Sequence, residues 1–239
     1  MMPVAWLPTR WIGCMLLVLL LAGCAFNGSE EPARKSFEFK SVAKTDLGSV
    51  IEFHVENMRQ MLGELMVKLY RRNPRELAKS DIPDFQTNRE RLFSRTENFD
   101  FPELQSRTGA EAVQLALSKE YKGDRVFAFV AGLTDMVMAS YEYQMEFYLF
   151  DTVDPQKLYN SARNIEIAVW KIEHDRDSNG ELFILTNSMP GEIRNLSYER
   201  LFGKLIATQD NLAEIMANKQ NRIIKRVMQK MATAVFLPI

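Results

Sequence analysis

The chain of 239 residues has two cysteines, Cys14 and Cys24, both near its start, so the remainder has no means of forming a disulfide or a thiolate metal site. Its two histidines, His54 and His174, lie about 120 residues apart. HExxH, GxSxG, a phosphate-cradling glycine loop and cysteine pairs at ligand spacing are all missing, which removes sequence support for zinc hydrolases, serine esterases and P-loop enzymes. No repeat of about 34 residues marks a tetratricopeptide array. No Pro/Gly/Ser-rich seam divides residues 45–239, and nothing in the pattern calls for a cofactor. Neither sign of charge dominates, with 30 basic against 31 acidic residues.

What is present begins at the N-terminus. After Arg10 the chain carries no charge from Trp11 to Phe26, a run shorter than the roughly 20 apolar residues a spanning helix needs. A basic start, a short apolar run and small residues after it match an export signal. Leu21-Ala22-Gly23-Cys24 resembles the lipobox of bacterial lipoproteins. That resemblance covers only the leader and one further residue. It implies a signal peptide over 1–23 and acylation of Cys24 on its sulfur and amine, and Ala25 in place of aspartate implies the outer membrane, with the protein facing the periplasm. An ordinary signal peptide, or an N-terminal anchor helix with a chance cysteine, is the alternative. For an exported chain on a lipid anchor, nucleic acid is excluded as a partner, and the domain must hold together without a disulfide.

Residues 24–44 comprise the cysteine and a charged, Gly/Ser/Pro-bearing stretch with no apolar period, the composition of a tether. Its twenty residues span at most about 70 Å. Residues 45–239 are long enough for one core, and their periodicity is helical. Ile51, Val55, Met58, Leu62, Leu65 and Leu69 form one stripe of a helix from about Asp46 to Arg72. Asn73-Pro74-Arg75-Glu76 reads as an N-cap, a proline at the first helical position and a capping-box glutamate. Asp154-Pro155 repeats the device ahead of Leu158, Ala162, Ile165, Val169 and Ile172. Tyr198, Leu201, Leu205, Leu212 and Ile215 mark a further helix, and Ile224, Val227, Met231 and Val235 a last one. The fold class is therefore expected to be all-α, an irregular multi-helix bundle of seven or eight helices around one core.

The most apolar stretch, Arg125 to Phe150, reads as a single helix whose polar stripe is Asp135, Glu142 and Glu146. It is either a membrane span or the central helix of the bundle, and Asp135 near its middle argues for the latter. Ala128 and Gly132 would permit a close crossing, and Met136, Met138, Tyr141, Met145 and Phe147 are expected in the core.

Few residues suggest chemistry. Asp175, Asp177 and Asn179 followed by Gly180 match the first half of a calcium-binding loop, yet the twelfth position is Thr186 rather than a bidentate glutamate. Asn179-Gly180 is equally a turn signal. His54 adjoins the apolar stripe of its helix, which suits a satisfied, half-buried imidazole. Charge is unevenly placed: residues 68–95 include Arg71, Arg72 and Arg75 among eight cations against four acids, and from Ile215 onward Lys219, Arg222, Lys225, Arg226 and Lys230 meet no acid. Arg71, Arg72, Arg75, Lys219, Arg222, Arg226 and Lys230 are thus candidates for binding an anionic envelope component, the last four as a ridge on the final helix, with Phe236 and Leu237 folded back on the domain. These features suggest a non-enzymatic scaffold or binding protein of the cell envelope. The alternatives are a peptidoglycan-cleaving enzyme of lytic transglycosylase type, using one glutamate, and a carrier with an apolar cavity.

Overall fold

The order of caps and apolar stripes builds seven α-helices among the described residues, and a computed structural model of the chain describes residues 45–189, 191–193 and 195–239. The expected leader, Cys24 and the expected tether lie outside those residues. Helix α1 spans Asp46–Arg72, about 40 Å at the helical rise. Thr45 caps it by accepting the Gly48 N–H at 2.9 Å. The stripe from Ile51 to Leu69 is fully buried, as its spacing requires. The short α2 (Pro74–Leu77) and α3 (Phe85–Phe93, capped by Asp84) follow, then a 3-10 turn at Pro102–Leu104. Next come α4 (Gly109–Ala116), α5 (Arg125–Ser140, capped by Asp124), α6 (Pro155–His174, capped by Asp154) and α7 (Ser197–Gln220). The arrangement is an all-α, irregular bundle without strands among the described residues; Arg176 and Leu182 form one isolated bridge. Residues 43–239 make a compact unit of their own.

Helix α5 is the centre. All its residues but Ala139 are buried, and it packs on α4, α1 and α6, while α7 covers α6 and α1. No helix among the described residues is long and apolar enough to cross a membrane. The α4–α5 crossing depends on Gly132: a Cβ there would stand 2.5 Å from the Gly109 carbonyl oxygen and 2.8 Å from the Val113 nitrogen. Three helices are tied together beneath the surface by Gln209 of α7, which accepts from the Tyr141 hydroxyl at 3.0 Å and donates to Ser140 and Ser161 at 3.1 and 3.0 Å. A buried amide needs such complete pairing.

Three expectations require correction. The apolar run does not stay helical to Phe150: α5 stops at Ser140, and Glu142 and Tyr143 adopt positive φ of 53° and 58°. The reversal lets the Tyr143 hydroxyl donate back to Asp135 at 3.1 Å and sets Glu142 against Lys157 at 2.9 Å. Phe147 is then buried from a loop, with its N–H bonded to Glu52 at 2.9 Å. Asp135 is buried, so it shares no solvent stripe with Glu142 and Glu146.

The last helix is likewise not formed. α7 ends at Gln220 on a left-handed Asn221, and residues 222–239 form no helix apart from a 3-10 turn at Met231–Thr233. A helix there would stack Arg222, Arg226 and Lys230 at i, i+4 spacing with no acid between them, which is repulsive. As an irregular strap its backbone instead meets amide side chains of α6. Gln156 accepts from and donates to Lys225, and Asn164 does the same for Leu237 at 2.7 and 2.9 Å. Phe236 packs against the core and Leu237 is half-buried, as expected, but from a strap.

The third correction concerns Asn73, whose side chain does not cap α2. Its amide donates to the carbonyls of Leu69 and Leu185 at 2.9 and 2.8 Å and accepts the Leu185 N–H at 2.8 Å. Glu76, read as the capping-box partner, accepts from the Arg125 N–H at 3.1 Å and from Lys79 at 2.6 Å.

Candidate functional site

Helix α1 carries Lys68, Arg71 and Arg72 in its last turns, and Arg75 begins α2. The chain between α6 and α7 is laid across this end of the molecule by the Asn73 clamp on Leu185. Two further bonds complete the seam: Lys68 donates to the Ser197 hydroxyl at 2.7 Å, and the Tyr198 hydroxyl donates to the Lys68 carbonyl at 2.7 Å. The seam leaves three recesses. One of about 380 Å³ lies between the end of α1 and the start of α7, lined by Lys68, Arg71, Arg72, Ser188, Glu192 and Tyr198. A second, of about 590 Å³, has Glu173, Leu182, Leu185, Asn187 and Met189 on its walls. The third, of about 440 Å³, lies over α2 among Lys79, Lys119, Lys122, Tyr121 and Asp177. Asn187 lines the first two and Arg75 the last two, so the three are neighbours on one face.

The electrostatics of this face are mixed but weighted to the cations. Arg72 pairs with Glu192, and that contact, together with the Met189 N–H, holds the Glu192 carboxyl below the usual range. The Lys68 ammonium stands 5.0 Å above the Tyr198 ring. Lys79 is paired with Glu76. Exposed Arg71 and Arg75 form no ion pair or side-chain hydrogen bond among the described residues. Beneath them, Asn187 donates to both Glu173 and Glu199, at 2.8 and 2.7 Å. Burial pushes the Glu173 carboxyl up to about 7, helped by its hydrogen bond to Glu199 and by that neighbour's charge.

Of the residues singled out from the sequence, Arg71, Arg72 and Arg75 come together here. Lys219, Arg222, Arg226 and Lys230 do not; they lie at the other end of α7 and on the strap, where Arg222 meets Asp154 at 3.2 Å and Arg226 meets Glu214 at 3.0 Å. Asp175, Asp177 and Asn179 sit on a tight reversal. Asp177 accepts the N–H groups of Asn179 and Glu181 at 2.8 and 3.0 Å, Asp175 faces Lys171 at 3.8 Å, and Gly180 takes a φ of +81°. Among the described residues no group of three His, Cys, Asp or Glu is placed to hold a metal ion. His54 is half-buried, and burial lowers its pKa, but its Nδ1 has no partner among the described residues. The methionines Met58, Met66, Met138 and Met216 are fully buried in the core. Asn187 and the Glu173–Glu199 contact had no signal in the sequence, since their elements are joined only by the fold. Compared with family models, curated proteins and solved structures, the chain matches none.

Proposed function

We propose that this is a lipid-anchored protein of the bacterial cell envelope, tethered through Cys24 to the outer membrane and facing the periplasm, whose folded domain binds an anionic partner at the face where α1 ends. The anchoring half of the reading rests on the resemblance of Leu21-Ala22-Gly23-Cys24 to a lipobox. The binding half rests on one observation: Arg71 and Arg75 are left unpaired among the described residues on the rims of adjoining recesses, whereas their neighbours Lys68, Arg72 and Lys79 are fixed by hydrogen bonds. Charges held in this way set register and on-rate for an oppositely charged surface.

The test is cross-linking in intact cells, with identification of what is captured, for wild type and for Arg71→Glu combined with Arg75→Glu. Both residues are exposed, so the unfolding midpoint should stay within about 0.5 kcal/mol of wild type while capture of the partner falls and becomes less salt-sensitive. Unchanged capture would remove this face as the binding site. Labelled fatty acid should enter the wild-type chain and not Cys24→Ser. A second reading is favoured by Glu173 alone, a carboxyl with raised proton affinity in a cleft, as a general acid would need. Peptidoglycan cleavage lost in Glu173→Gln with the fold intact would establish that reading instead.

A further inference from the structure

We infer that the strap at the C-terminal end of α7 is a docking element for an anionic lipid surface. From Asn221 to Val235 the chain places Ile223 and Met228 at 93% and 99% exposure, and Val227, Met231 and Val235 are also exposed. An apolar side chain left in water on a well-packed domain is costly only in numbers, and here five occur within thirteen residues. Interleaved with them are Arg222, Lys225, Arg226 and Lys230, with Lys219 just before. Asp154 and Glu214 neutralise Arg222 and Arg226, while Lys219, Lys225 and Lys230 form no ion pair among the described residues. Exposed aliphatic side chains beside unpaired lysines match a bilayer interface, where the former enter the acyl boundary and the latter meet phosphate headgroups.

The backbone supports that use. Gln156, Asn160 and Asn164 of α6 hold the strap by its peptide groups at Lys225, Pro238 and Leu237, so those bonds do not require Ile223 or Met228 to turn inward. A neighbouring loop adds Leu149 and Phe150, 58% and 90% exposed, just ahead of Val153 and Asp154, which bind Gln220 and Arg222. The same loop is fastened to the first turns of α1 through Phe147 and Glu52. Residue 45, where the stretch from Cys24 joins the domain, is therefore close to this end. A lipid on Cys24 would raise the effective concentration of membrane at a surface whose own affinity is modest. The inference does not rest on the anionic-partner reading, which concerns the other end of α7.

The experiment is vesicle flotation with the compact unit from residue 43 onward, which contains the whole described core and lacks Cys24, so its outcome is separate from that of the anchor reading. The unit should rise with vesicles containing phosphatidylglycerol, not with phosphatidylcholine alone, and less so at high salt. Ile223→Ser combined with Met228→Ser should reduce the bound fraction by roughly tenfold. Ile193→Ser, at a residue 94% exposed on the opposite end, should leave it unchanged. No flotation with the anionic vesicles, equal partition to neutral ones, or a double variant that binds like wild type would each overturn the inference.

Discussion

The two ends of α7 each lie beside a basic run, and the fold presents the two runs differently. The run at the Ser197 end, Lys68 to Arg75, belongs to α1 and α2 and is brought there by the fold, while the run at the Gln220 end continues from α7 itself; about 36 Å of helix separates them. At the Ser197 end the cations stand around polar recesses, several of them fixed by Ser197, Glu192 and Glu76. At the Gln220 end they alternate with exposed aliphatic side chains on an irregular strap. A positive run therefore says little about its partner until its neighbours are known. Fixed, recessed cations suit a shaped anionic ligand; lysines among aliphatics suit a surface that is both anionic and apolar. Both ends use one fastening device, an amide side chain that takes the N–H and the C=O of a single distant residue: Asn73 with Leu185, Asn164 with Leu237.

The scaffold common to the two ends gives the largest expected effect. Gly132→Leu drives a side chain into the Gly109 carbonyl and Val113, backbone that cannot step aside, and should cost about 3 kcal/mol. Urea unfolding measures it, and the loss should be global; an unchanged midpoint would mean the α4–α5 crossing is looser than described. The two clamps then separate the ends. Asn73→Ala removes three hydrogen bonds at a buried site and should cost about 2–3 kcal/mol, with amide exchange rising across residues 183–189. Asn164→Ala removes two at the half-buried strap and should cost about 1–2 kcal/mol, with exchange rising at 235–239. If either substitution loosened both segments equally, the ends would not be independent.

Several of these features could be read from residues alone. The α1 stripe, the Asp154-Pro155 start of α6 and the close approach at Gly132 each follow from local spacing and residue type. The strap could not be read in this way, because Ile224, Val227, Met231 and Val235 keep a helical interval that only the absence of an acidic partner and the amides of α6 override. Nor could the reversal after Ser140, where Tyr143 finds Asp135 only once the chain has turned. Asn73 illustrates the limit. Before a proline it reads as a cap, yet its partner lies 112 residues away. The recessed face was half legible: Arg71, Arg72 and Arg75 are consecutive enough to notice, while Asn187, Glu173 and Glu199 belong to three elements that meet only in the fold.

The smallest expected effect concerns that last contact and is read against pH. Burial and Glu199 raise the Glu173 carboxyl to about 7, so the folded state holds its proton more tightly than the unfolded chain, where glutamate titrates near ~4.3. Its contribution is fully present below the unfolded value and is lost as pH rises through about 7. Glu173→Gln keeps a neutral group beside Asn187 and Glu199 and should lose that dependence. The thermal midpoint of the variant relative to wild type should therefore climb between pH 5 and 8, by an amount worth under about 1 kcal/mol because solvent reaches the site. Asp124, raised to about 6 by burial, titrates within the same window, but it is present in both proteins and cancels in the difference. Amide exchange should assign the change to the residues around Asn187 and leave the strap untouched. Parallel pH profiles for the two proteins would show that burial at this end of α7 does not raise the proton affinity of Glu173 in the folded state.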